Sequence, residues 1–106
     1  MKTQILDFNK LKKFTPDKRH QEVIWSDEHS SIKLLCLMPG QEITTHTHHD
    51  SHKWVVMEGS GEFRFEGKTE LIDRGKIVIV PALVDHGIRN SSKENLVLAS
   101  IAAAGD

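Results

Sequence analysis

The stretch His46-Thr47-His48-His49-Asp50-Ser51-His52 puts four histidines within seven residues. On an extended strand, side chains alternate between faces, so His46 and His48 share one face and His49 points to the other. A short bend after His49 returns His52 towards the first pair. Imidazole suits Zn, Cu, Fe and Ni as a ligand. Two same-face imidazoles with a third nearby fill about half of an octahedral shell. A histidine-rich run can equally be solvated without a role, or bind metal adventitiously. The flanking sequence decides between these readings.

Outward from this stretch, strand signals dominate. Glu22 to Ser26 and Ser31 to Met38 are rich in apolar residues, and Pro39-Gly40 closes the second with a turn. Lys53 to Met57 ends at Glu58-Gly59. Gly61 to Glu66 alternates polar and aromatic residues, placing Phe63 and Phe65 on one face. Gly67-Lys68 turns the chain into Thr69 to Ile72. Ile77 to Val80 stops at Pro81, Asp85 to Asn90 is a short polar strand, and Leu96 to Ile101 is an apolar strand trailed by Ala102-Ala103-Ala104. Near the N-terminus, Lys2 to Lys13 reads as a short helix or an extended arm. Short strands with turns between them and little helix predict an all-β sandwich or barrel. A doubly wound α/β fold is excluded, because no segment has room for crossover helices. Residues 1–18 are expected to form an arm and residues 19–106 a single barrel domain.

Composition narrows the function. The chain has 106 residues, with seven histidines and no tyrosine. Its formal net charge is −1, from 14 Lys plus Arg against 15 Asp plus Glu. That balance carries no electrostatic footprint for nucleic acid or an anionic membrane surface. A single cysteine, Cys36, cannot form an internal disulfide and reads as a small buried hydrophobe. There is no apolar leader or membrane-length run, so a cytoplasmic protein is expected.

The spacing around the histidines is more specific than their number. The chain runs Gly40, five residues, His46-x-His48, three residues, His52, six residues, Gly59. Further on it runs Gly75, five residues, Pro81-x-Leu83, two residues, His86, three residues, Asn90. This resembles the two motifs of the cupin superfamily, Gly-x5-His-x-His-x3–4-Glu-x6-Gly and Gly-x5-Pro-x-Gly-x2-His-x3-Asn. The resemblance spans Gly40 to Asn90 and implies a single-domain cupin jelly-roll β-barrel with a metal inside it. Residue by residue it implies His46, His48 and His86 as ligands, with His52 at the family's glutamate position. It also puts Leu83 where the family motif has glycine, and a leucine resists positive φ.

Exchanging glutamate for histidine changes the chemistry. Four neutral imidazoles leave the full charge on a divalent cation, making it a stronger Lewis acid and favouring its lower oxidation state. Two positions of an octahedron would stay open for reactants. Structural metal sites are closed and usually rich in thiolate, so this donor set leans towards function. The resembled families point to Mn or Fe first, with Ni, Cu and Zn as alternatives.

Around the metal, Trp54 and Val56 are in phase with His52, Ile88 is in phase with His86, and Phe63 and Phe65 follow on the next strand. These five are candidates for an apolar substrate pocket, and Asn90 joins them as a motif position that could equally form a turn. Arg64, His20 and His29 read as solvated, and His49 faces away from the metal, either on the surface or behind the ligands. The missing tyrosine removes one common acid-base route and counts against an epimerase. The leading expectation is a metal-dependent, dioxygenase-type oxidoreductase acting on a small organic substrate. A Lewis-acid isomerase, cyclase or lyase and a non-enzymatic ligand- or metal-binding module are the alternatives. Uncovered sheet edges and an apolar arm point to a homodimer.

Overall fold

Ser30–Leu37 is a strand with two apolar faces. Leu35 and Leu37 point one way, and Leu34 and Cys36 point the other. Such a strand is stable only when both faces are covered, and the fold covers them differently. The computed structural model describes residues 2–105, so Met1 of the expected arm and Asp106 of the expected barrel lie outside it. Among the described residues the chain forms α1 (Phe8–Leu11), β1 (His20–Ser26), β2 (Ser30–Leu37), β3 (Glu42–His46), β4 (His52–Glu58), β5 (Ser60–Phe65), β6 (Lys68–Asp73), β7 (Ile77–Val80), β8 (His86–Arg89) and β9 (Leu96–Ala103).

Two antiparallel sheets result, ordered β1-β2-β9-β4-β7 and β3-β8-β5-β6. Between them lies the main core, which takes Leu35, Leu37, Leu96 and Leu98 from the larger sheet and Ile43, Phe63, Ile72 and Ile88 from the smaller. Burying each such side chain contributes roughly 1.5–3 kcal/mol. The outer face of β2 and β9 presents Leu34, Cys36 and Val97 instead. Phe8 and Leu11 of α1, with Phe14, pack over that face and remove it from water. Lys12 fixes the arm further through a 2.6 Å ion pair to Glu58. The architecture is the all-β jelly roll that the sequence predicts.

Local chemistry explains the turns. Glu66 and Gly67 both have positive φ, at 48° and 74°, and form a two-residue hairpin loop between β5 and β6. Leu83 also adopts positive φ, at 66°. The turn that glycine usually permits is therefore kept, with strain of about 1–2 kcal/mol. Two sequence readings need correction. Ala102 and Ala103 continue β9 rather than trailing from it, because they pair with Ser31 and Ser30 of β2. The strand carrying His46 ends at that residue, so His48 lies beyond it and not on a regular extension.

A bulge in β3 positions His46. Ile43 pairs with Ile88, yet His46 pairs with His86, so β3 holds one residue more than β8 between these pairs. Without the extra residue, Thr45 would face His86, and His46 would point to the other side of the sheet. Gly87 accommodates the bulge: a Cβ there would meet the Ile43 carbonyl oxygen at 2.9 Å and the Thr45 nitrogen at 3.0 Å.

Candidate metal centre

Three elements bring the histidines together. His46 ends β3, His86 begins β8 directly opposite, and His48 follows in the loop before β4. One ligand atom from each of His46, His48 and His86 lies within 4.8 Å of the other two. The His46 and His86 rings are 4.6 Å apart, as are those of His46 and His48. Leu83 holds the loop, since its backbone N–H donates to the His48 carbonyl at 2.9 Å.

Hydrogen bonds select the tautomers. Nδ1 of His46 lies 2.8 Å from the Thr44 carbonyl, and Nδ1 of His86 lies 2.9 Å from the Val84 carbonyl. A carbonyl only accepts, so each Nδ1 carries the proton and each Nε2 keeps its lone pair. Nε2 of His86 is buried without a hydrogen-bond partner.

His52 stands beside this trio but outside the close three-atom set. Its ring is 4.1 Å from that of His48 and 5.7 Å from that of His86. Nε2 lies 2.8 Å from Ser100 Oγ, while Nδ1 is buried without a partner. Burial, followed by the neighbouring His48, His86 and His46 and by the Lys33 ammonium, pushes the His52 pKa down to about 4. Burial also lowers that of His86. Both are neutral near pH 7, the form in which imidazole binds a metal. Buried polar atoms are normally satisfied, and a cation held among His46, His48 and His86 would satisfy the orphaned Nε2 of His86. The residues present therefore fit a divalent transition metal.

A cavity of about 220 Å³ opens onto His46, His48 and His52. Of the expected pocket residues, Trp54 lines it, and its ring lies 4.7 Å from His52. Phe63 and Phe65 line a separate cleft of about 450 Å³ bordered by β7, although Phe63 also stacks on His86 at 6.2 Å. Val56 and Ile88 sit in the core between the sheets. Asn90 is fully buried, but its side chain donates to the Leu37 and Glu94 carbonyls and accepts from Ser92. It shapes the turn after β8. His49 is exposed.

Arg19, Gln21, Lys33 and Ser100 also line the cavity and were not among the expected residues. A signal for two of them existed. Lys33 is in phase with Leu35 and Leu37, and Ser100 with Leu96 and Leu98, so each is a polar residue at an inward position.

Known proteins agree with this architecture. A Thermus thermophilus protein, TT1209, superposes with a TM-score of 0.88 at 28% identity, covering 95% of this chain and 97% of its own. A Klebsiella pneumoniae protein with a double-stranded β-helix domain gives 0.89 at 24% identity, over 99% and 93% of the two chains. A cupin superfamily protein of Desulfitobacterium hafniense gives 0.84 at 14% identity, over 97% and 93%; the last two likenesses speak to the fold alone. No curated protein matches the sequence. The family model described as Cupin domain matches residues 33–102, a span that includes His46, His48, His52 and His86, and the chain belongs to that family.

Proposed function

We propose that this cupin is a metal-dependent oxidoreductase of the dioxygenase type, acting on a small organic substrate, with Mn or Fe as the favoured metal. The observation that carries the reading is the convergence of His46, His48 and His86 ligand atoms within 4.8 Å, next to an accessible cavity. His52 serves as fourth ligand through Nδ1, with Nε2–H donating to Ser100. The bound metal would supply Lewis-acid and redox chemistry at the cavity floor. The chain's own groups hold the imidazoles in one tautomer, and Trp54 walls the cavity beside His52.

Metal analysis of the purified protein, followed by oxygen uptake with small diketones and catechols, tests this reading. One redox metal per chain with substrate-dependent uptake is the expected result. Zinc in its place, or no uptake after reconstitution with iron or manganese, would favour Lewis-acid chemistry or simple binding. We also propose a homodimer, supported by the exposed Ile77 and Ile79 on the edge strand β7. Light scattering of the eluting protein should give twice the chain mass, and a monomer mass would refute it.

A further inference from the structure

Two apolar features of the chain have no part in the metal centre. The first is the cleft of about 450 Å³ lined by residues of both β6 and β7. Those strands end the two sheets, so each carries a backbone edge without a partner strand among the described residues. Phe63, Phe65, Ile72, Val78 and Val80 form apolar walls. Glu66 and Glu70 line the space too, and among the described residues neither has an ion-pair partner. Glu70 takes an inward position on β6, opposite Phe63 and two residues before the buried Ile72. Lys76 also lines the cleft, but it is engaged by Asp73 at 3.5 Å. The cleft therefore combines apolar walls, two open strand edges and uncompensated negative charge.

The second feature is the start of the arm. Residues 2–7 are exposed and carry no regular secondary structure, and none of residues 2–6 makes a backbone hydrogen bond among the described residues. Ile5 is 95% exposed and Leu6 next to it is exposed as well, whereas Phe8, Leu11 and Phe14 further along are packed against the sheet. Lys2 has no ion-pair partner among the described residues. The arm thus holds what the cleft lacks: aliphatic side chains, a free cation and backbone groups able to pair with a strand edge. Length agrees, because five extended residues at about 3.3 Å each lie between the four of β7 and the six of β6. Alternation agrees too. It turns one of Ile5 and Leu6 into the cleft and the other towards Ile77 and Ile79, which are exposed on the face of β7 opposite Val78 and Val80.

We propose that residues 2–6 of a second copy dock in the cleft between β6 and β7, with Lys2 beside Glu66 and Glu70. The proposal rests on the homodimer reading above and adds where the two copies meet, each arm lying in the other's cleft under two-fold symmetry. Phe63, at the cleft, also stacks on His86, so the docked arm lies one ring away from the metal centre.

Cross-linking between marked copies tests the contact. An Ile5→Cys variant labelled with 15N is mixed with an unlabelled Leu71→Cys variant, exchanged and mildly oxidised; Leu71 lines the cleft and is 73% exposed. The expected product has twice the chain mass and yields a peptide pair joining positions 5 and 71, one labelled and one not. Light scattering over a dilution series supplies the second measurement. Ile5→Ser combined with Leu6→Ser should raise the dimer dissociation constant at least about tenfold. Lys2→Glu and Glu70→Lys should each raise it severalfold, and the two together should restore it. A dimer that gives no such peptide pair and is unchanged by the arm substitutions would overturn the docking alone. A parent protein that is monomeric throughout the series would overturn both the docking and the homodimer.

Discussion

Ser100 Oγ lies 2.8 Å from Nε2 of His52, linking the centre of β9 to the first residue of β4. Both residues are buried. When the serine accepts the imidazole N–H, the lone pair of His52 is left on Nδ1, the orphaned atom. Ser100→Ala should therefore act twice. It strands a buried donor, which should cost about 1–3 kcal/mol in urea unfolding. It also frees the tautomer, which should weaken metal binding by about 10–100-fold in a competition assay. Unchanged metal affinity would remove His52 from the ligand set.

His86→Ala should abolish stoichiometric metal binding, because it removes the buried Nε2 fixed by the Val84 carbonyl. His49→Ala should leave binding intact. Metal analysis after gel filtration distinguishes the two. Retention of metal by the His86 variant would mean that the run from His46 to His52 binds adventitiously.

Acid should destabilise the metal-free protein through its histidines. The His52 pKa is about 4 in the fold, against 6.5 for an unperturbed group, chiefly because of burial. A depressed folded pKa means that the unfolded state takes up the proton first. The stabilisation is complete above pH 6.5 and is lost as pH falls towards 4. His86 shifts in the same direction. The urea midpoint should fall over this window, and it should fall less in His52→Gln. A flat profile in the parent would contradict the burial of both imidazoles.

Leu83→Gly should stabilise the protein by up to about 1 kcal/mol, since relief of left-handed strain exceeds the added freedom of the unfolded chain. Leu83→Ala should not, because alanine keeps the Cβ. Leu83 is 70% exposed, so little packing is lost. Thermal unfolding of the two variants is the measurement, and equal melting temperatures would show that the turn is unstrained.

Most of the architecture was readable from the chain because aliphatic strands bounded by Gly and Pro carry a local signal. β7 shows this best, with Ile77 to Val80 expected and observed. β3 shows the limit. Its only large apolar residue is Ile43, so neither its start nor its bulge has a periodic signature. Three of the four expected ligand histidines converge, and motif spacing was enough to find them. The pocket was harder to read, because being in phase with a ligand does not say whether a side chain meets solvent or core. Trp54 meets the cavity, whereas Val56 and Ile88 meet other side chains. Lys33 and Ser100 were legible as polar residues on apolar faces, a pattern that a search for hydrophobic alternation passes over.

The extra residue in β3 also limits how portable the histidine motif is. Transplanting residues 46–52 into an ordinary edge strand of another scaffold would copy the spelling but not the offset that turns His46 inward. A working graft would have to include the segment from Ile43 onward, together with a glycine opposite it on the neighbouring strand, as Gly87 is here. The smallest transferable unit of this centre is therefore a pair of strands and not a peptide.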